Sequence, residues 1–236
     1  MNIDCNPSSR LGLFRSVCRL ARVSLAFGIL LLFALSAQAR DYPVIFIHGI
    51  NSNAEDSWGK FRNVLVANTW TYGGSPFYDA SSNTVRVYKT DTNETIPLTY
   101  ADAGPGDFYT LNFSNNHNLT FPEQGAELAK VISAVLAANP PKNKVILVAH
   151  SMGGLAARAY LQGQTGTVFR DDVQQLVTVG TPHQGSMMAA KCISNPLCLG
   201  LGSIAGWGSP FNLYPDSLAM SALVPANSVL VPPSNS

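Results

Sequence analysis

The sequence predicts an α/β fold, in which helices cover both faces of a mostly parallel sheet. Two short apolar runs, residues 42–48 and 144–149, have the composition of strands that are buried on both faces. Segments with apolar residues at helical spacing alternate with such strands along the chain, and this alternation indicates a parallel sheet with crossover helices. The chain has 236 residues, of which 46% are hydrophobic and 12% charged, so we expect one globular domain with a substantial core.

A basic and apolar leader precedes the predicted domain. Its first part carries four arginines, and an apolar run over residues 23–35 follows them. Ala37 and Ala39 give the small-x-small pattern of a signal peptidase site, so we expect residues 1–39 to be a signal peptide that is cleaved after Ala39. The run is shorter than the roughly 20 residues that span a bilayer, which favours release to the periplasm or medium over a permanent anchor.

The charge of the predicted mature chain, residues 40–236, argues against nucleic acid and anionic membranes as partners. The leader holds four arginines and one aspartate, so 11 basic and 13 acidic residues remain, a net charge of −2. No cluster of Lys and Arg remains in the sequence to attract phosphates. We therefore expect no nucleic acid partner and, after cleavage, no stable membrane span; the sequence does not indicate an oligomeric state.

Two cysteines remain after the leader, Cys192 and Cys198. Export places them where thiols oxidise, and the short Asn-Pro turn between them suits a local disulfide; two free thiols are the alternative. A metal site is not predicted, because two sulfurs without clustered histidines do not complete four ligands.

The first half of the chain predicts two strands and two helices. The first strand, residues 42–48, is followed by a helix over residues 54–67. A polar stretch rich in Gly, Ser and Asn, residues 73–83, follows this helix and precedes the segment of residues 85–88, and another strand is predicted over residues 107–113. Pro122 in a first turn and the apolar spacing after it predict a helix that ends near Asn139.

The second half predicts two further strands that flank a helix. The strand over residues 144–149 is followed by a helix over residues 153–162, and a strand over residues 173–179 leads to a loop over residues 180–185. The carboxyl ends of parallel strands share one edge of the sheet, so the loops after these strands should lie together and form a binding site. A short helix is expected near residues 216–223.

The turn around Ser151 carries the chemistry that the sequence predicts. Ala149, His150, Ser151, Met152 and Gly153 connect a buried strand to a helix. A tight strand-to-helix turn pushes a serine Oγ out of the sheet, and small residues two before and two after the serine prevent collisions. We therefore expect Ser151 to be a nucleophile, although a structural turn with structural histidines would give parts of the same pattern.

Two backbone N–H groups are expected to stabilise the negative charge that develops on a substrate carbonyl oxygen. The helix after Ser151 supplies the N–H of Met152. The turn after the first strand, His48, Gly49 and Ile50, is expected to supply the N–H of Ile50, because its glycine allows close approach of the backbone.

Three segments, residues 42–53, 145–155 and 177–186, resemble secreted lipases and esterases of the α/β-hydrolase superfamily and the related GPI inositol-deacylase-like group. The resemblance extends roughly over residues 42–224, although Ala149 stands where the pentapeptide more often begins with glycine. It implies an α/β-hydrolase fold that starts near the oxyanion strand. It also implies hydrolysis of an ester, most often a lipid acyl ester, without a metal or organic cofactor.

The acid and histidine of a catalytic triad are not evident after Ser151. In this superfamily they follow the nucleophile on loops after later strands. The acids that follow are Asp171, Asp172 and Asp216, and His183 is the histidine. The first two precede a strand and should lie roughly 20 Å from the nucleophile, at about 3.3 Å per residue. Asp216 is expected to be a helix charge or cap.

His183 is the candidate base, although its motif in relatives supports the neighbouring loop. We therefore expect a chain that is incomplete at its carboxyl end and lacks the last strands of the fold. The leading interpretation is a lipase or esterase; the alternatives are a catalytically inactive exported protein that binds a lipid or acyl chain, a fragment of a longer lipase, and an amidase or peptidase.

Overall fold

The computed structural model describes residues 41–89, 99–101 and 104–186. The chain divides into two units, Met1–Asp41 and Tyr42–Ser236, and the description concerns the second. The predicted signal peptide, Cys192 with Cys198, and the expected helix near residues 216–223 lie outside the described residues.

A parallel sheet of four strands forms the centre of the described unit. Its order is β5-β1-β6-β7, and every neighbouring pair is parallel, as the sequence predicts. Ile47, near the end of β1, lies opposite Leu111 of β5 and Ala149 of β6, so the strands end at a common edge. The strands are β1 Val44–Ile47, β5 Phe108–Leu111, β6 Val145–His150 and β7 Val173–Val179.

Three helices connect these strands, and their boundaries agree closely with the predicted ones. They are α1 Ala54–Ala67, α2 Phe121–Ala138 and α3 Gly153–Leu161. Asn53 caps α1 by accepting a hydrogen bond from the N–H of Asp56 at 2.9 Å. Among the described residues, none of the helices is long and apolar enough to cross a lipid bilayer.

Helices cover both faces of the parallel sheet, because alternate side chains of each strand point to opposite sides. On one face the ring of Phe46 packs against Trp58 and Phe61 of α1, with ring centroids 5.0 and 5.4 Å apart. On the other face Ile45 and Leu147 join a buried cluster with residues of α2 and α3. The predicted α/β architecture is confirmed.

A second, antiparallel sheet was not predicted. It consists of β2 Ser75–Asp79, β3 Thr84–Lys89 and β4 Thr99–Ala101, in that order. Ser, Pro and Asp within β2 are residues that strands disfavour, which is why the pattern indicated only a polar connection. The strand is held by contacts with β5: the Ser75 hydroxyl donates to Thr110 O, and Phe77 forms a bridge with Asn112.

Candidate active site

Ser151 lies on the turn between β6 and α3 with a left-handed backbone. Its φ is 52°, a conformation that residues other than glycine rarely adopt. The N–H of Ser151 donates to Val179 O at 2.8 Å, so the end of β7 holds the turn in place. A strained serine between a strand and a helix, partly exposed at the edge of the sheet, is the geometry of a nucleophile turn.

The loop after β1, residues 48–52, is packed directly against the Ser151 turn, and we call it the β1 loop. A methyl group on Gly49 would lie 2.9 Å from Ser151 Cβ, and one on Gly153 would lie 2.5 Å from His48 O. Real side chains do not tolerate such distances without displacement of the neighbouring backbone. The two glycines therefore bring the β1 loop and the turn together, as the sequence predicts.

The ring of His48 is buried beneath the β1 loop. Its Nδ1 lies 2.8 Å from Gly49 O, and its Nε2 lies 3.3 Å from the N–H of Phe113. Since a carbonyl only accepts and an N–H only donates, Nδ1 carries the proton and Nε2 accepts. Burial lowers the pKa of His48 to about 4, so the ring is neutral and acts as a brace between two loops.

Asn116, on the loop after β5, is a site residue that the sequence analysis did not identify. Its side chain is buried, and its Nδ2 donates to Gly49 O at 3.2 Å and to Ser52 O at 2.7 Å. The available signal was its position shortly after a strand that ends at the same edge as β1. Its partner Gly49 lies 67 positions earlier, and no local pattern indicates that pairing.

The two predicted oxyanion donors are the N–H groups of Ile50 and Met152. Within the described part of the chain, neither N–H has a hydrogen-bond acceptor. Met152 is buried at the start of α3, where the helix dipole favours negative charge. Their role as donors to a substrate stays a prediction.

His183, the candidate base, is held by two neighbours. Its Nδ1 lies 3.0 Å from Arg158 Nη1, and its Nε2 lies 3.2 Å from Thr178 Oγ1. Because a guanidinium only donates, Nδ1 of the neutral ring is the acceptor and Nε2 carries the proton. Burial and the charge of Arg158 lower the pKa of His183. In this arrangement neither ring nitrogen presents a free lone pair to Ser151, so a role as base would require the Arg158 contact to open.

The remaining polar residues of the motif have structural surroundings. His150 lies at the surface. The part of its ring that is shielded from water disfavours the charged form, which lowers the pKa of His150. Asp171 and Asp172 precede β7 at the edge opposite to Ser151; the Asp172 carboxylate accepts from Tyr160 Oη at 2.6 Å. They lie where the sequence predicts, away from the nucleophile. Asp216 is outside the described residues. No group of His, Cys, Asp and Glu that could bind a metal occurs in the part of the chain that the structure describes.

A cavity of about 850 Å³ opens beside the β1 loop, on the side where β2 and β3 lie. His48, Ser52 and Asn116 contribute to its wall, whereas Ser151 does not line it. The cavity therefore adjoins the β1 loop but not the Ser151 turn. The wall combines aromatic side chains, such as Phe77 and Phe113, with polar ones, such as Arg62, Asp79 and Asn112.

Comparison with curated proteins gives lipases and a deacylase. The chain is 30% identical over 151 residues to a triacylglycerol lipase of Pseudarthrobacter phenanthrenivorans, covering 64% of this chain and 36% of the lipase. A GPI inositol-deacylase A of Yarrowia lipolytica is 31% identical over 107 residues, covering 39% of this chain and 9% of that protein. The matched region is thus about a third of the lipase and less of the deacylase.

Solved structures give similar matches. The match with a mature Bacillus licheniformis lipase covers 79% of this chain and 56% of the lipase chain, at 19% identity and a TM-score of 0.43. The match with a Listeria innocua gene product covers 81% of this chain and 66% of that protein's chain, at 19% identity and a TM-score of 0.45.

A family of known domains matches the larger part of the chain. The match covers residues 38–195 and includes the β1 loop, the Ser151 turn and the loop after β7. The resemblance to α/β-hydrolases of the lipase and deacylase group is confirmed, and the chain belongs to the PGAP1-like alpha/beta domain family.

Proposed function

We propose that this chain is a serine hydrolase that cleaves carboxylic esters, with lipid acyl esters as the substrate class. The observation that carries the proposal is the left-handed Ser151 on a strand-to-helix turn, with Gly49 of the β1 loop packed against it. The curated relatives named as triacylglycerol lipases support the ester class.

In the proposed reaction, Ser151 Oγ attacks the ester carbonyl carbon and loses its proton to a base. The N–H groups of Ile50 and Met152 stabilise the oxyanion of the tetrahedral intermediate. The alcohol leaves with a proton when the carbonyl re-forms, and an acyl group remains on Ser151. Water then attacks the acyl carbon, which releases the carboxylic acid and restores the serine. Among the described residues after Ser151, His183 is the candidate base.

One observation favours a second candidate function, an inactive protein that binds a lipid or acyl chain. Both ring nitrogens of His183 are occupied by Arg158 and Thr178. A serine hydroxyl without a base is a weak nucleophile.

A fluorophosphonate probe distinguishes these two functions. The folded protein and its Ser151→Ala variant are incubated with the probe, and adducts are measured by intact mass. We expect one adduct on the parent, located at Ser151 by peptide mapping, and none on Ser151→Ala. A folded parent that remains unlabelled would overturn the hydrolase proposal and favour the binding protein.

The leader supports a proposal of export, with cleavage after Ala39 to the periplasm or medium. Mass spectrometry of the protein recovered from these compartments should give an amino terminus at Arg40. Recovery only with residues 1–39 attached would contradict cleavage.

A further inference from the structure

We propose that Asn116 is a positioning residue for the oxyanion site. Its side-chain amide holds the peptide group between Gly49 and Ile50 in the orientation that leaves the Ile50 N–H available to a substrate. This inference rests on the proposed function, and it assigns a role to a buried polar residue of the β5 loop that does not itself contact the reacting atoms.

The β1 loop uses both amide hydrogens of Asn116. A side-chain amide has two N–H hydrogens, and both have carbonyl acceptors in the β1 loop, Gly49 O at 3.2 Å and Ser52 O at 2.7 Å. The side chain is only 8% exposed, so water offers little competition for these bonds. Asn116 therefore connects the beginning and the end of the β1 loop through one rigid, planar group.

The planarity of the peptide bond couples the orientation of Gly49 O to that of the Ile50 N–H. In a trans peptide the C=O of Gly49 and the N–H of Ile50 point in opposite directions. Two donors, His48 Nδ1 and Asn116 Nδ2, approach Gly49 O, so rotation of this peptide group would break both hydrogen bonds. The Ile50 N–H is consequently directed away from Asn116 and the His48 ring.

Asn116 also connects the two ends of the turn at Asn51. Asn51 has a φ of 52°, a left-handed conformation that asparagine tolerates better than most residues. Asn116 donates to Gly49 O and Ser52 O, which lie on either side of Asn51, whereas His48 reaches only the first of these two carbonyls. Asn116 is thus the group that links the two sides of the turn.

The experiment compares the parent with Asn116→Ala, which removes the amide, and Asn116→Asp, which keeps the shape but has no donor when ionised. Asn115→Ala is the matched control, because Asn115 accepts from the N–H groups of His117 and Asn118 and, among the described residues, makes no hydrogen bond to the β1 loop. If Asn116→Ala does not fold, the isosteric Asn116→Asp replaces it.

The first measurement is hydrogen exchange of peptides that cover residues 48–53, followed by mass spectrometry. Loss of two neutral hydrogen bonds should raise exchange there by about tenfold, with α2 unchanged. The second is the rate constant for fluorophosphonate labelling of Ser151, together with kcat and KM for p-nitrophenyl butyrate. We expect the rate constant for labelling and kcat to fall by about 10- to 100-fold, with little change in KM. A decrease of this size approaches the effect of removing one oxyanion donor.

The two proposals fail in distinguishable ways. If the parent labels and both Asn116 variants label equally fast, the positioning role is overturned and the hydrolase stands. If the parent does not label, the hydrolase proposal fails and the oxyanion role fails with it, and exchange then decides only whether Asn116 positions the β1 loop. Exchange in the β1 loop that is unchanged by both variants would overturn it, whereas faster exchange confined to that loop would support it.

Discussion

At the scale of single residues, the histidines of this chain show how burial decides what a side chain can do. His48 is fully enclosed and has a fixed tautomer, because a carbonyl accepts from one ring nitrogen and an N–H donates to the other. His48, which the sequence places beside Gly49 in the predicted oxyanion loop, is therefore a neutral brace. His183 is restrained in a similar way by a guanidinium that can only donate.

The buried neutral His48 predicts a pH dependence of stability. Its pKa is about 4 in the folded chain and about 6.5 when unfolded, so below pH 6.5 the unfolded chain binds more protons. The free energy of unfolding should therefore fall as the pH decreases from about 6.5 to 4, by up to about 3 kcal/mol from this residue. Urea denaturation at several pH values measures the slope.

The control for this pH dependence is His48→Asn, which retains a donor for Gly49 O and cannot titrate. This variant should be less stable at neutral pH but should have a shallower slope between pH 6.5 and 4. An identical slope in parent and variant would mean that other groups cause the dependence.

At the scale of elements, helix boundaries are decided by local hydrogen bonds that the sequence displays. Thr120 begins α2 with a capping box: its hydroxyl accepts from the N–H of Glu123, and the Glu123 carboxylate accepts from the N–H of Thr120 at 2.7 Å. The cap joins partners only three positions apart, and the helix was predicted from equally local signals, Pro122 in the first turn and the apolar spacing after it.

Removal of this cap should destabilise the protein measurably. Thr120→Ala leaves the Glu123 N–H without its side-chain acceptor and should lower the free energy of unfolding by about 1 kcal/mol. Thr120→Ser retains the hydroxyl and should remain close to the parent. Urea midpoints at constant m-value compare the three proteins, and equal loss in both variants would contradict the capping explanation.

At the scale of the whole described unit, the parallel sheet separates the edge that carries the proposed nucleophile from an edge with structural contacts. Ser151 follows β6 at one edge, whereas Asp172 precedes β7 at the other, and a strand of this length spans roughly 20 Å. Asp172 is buried, accepts from Tyr160 Oη at 2.6 Å and pairs with Arg170 at 2.7 Å. Its contribution should therefore concern stability alone.

Asp172→Asn tests this separation. Loss of the charge weakens the contacts with Tyr160 and Arg170, so we expect the free energy of unfolding to fall by about 1–3 kcal/mol. The rate of fluorophosphonate labelling should be unchanged below the melting transition. Asp171→Asn is the matched control: its exposed pair with Lys144 contributes at most about 1 kcal/mol, and asparagine tolerates its left-handed φ of 55°. Slower labelling in folded Asp172→Asn would show that the two edges are coupled.

The sequence by itself determined the types of the main helices and parallel strands and their order along the chain, and it indicated the Ser151 turn. These features depend on neighbours along the chain, through periodicity, caps and the strand-turn-helix motif. Only the tertiary structure decided the antiparallel sheet and the role of Asn116. β2 is a poor strand by composition and forms because Ser75 and Phe77 contact β5, 35 residues away. Asn116 likewise depends on carbonyls 64 and 67 positions earlier. Contacts over such separations depend on how the elements pack, which no local pattern displays.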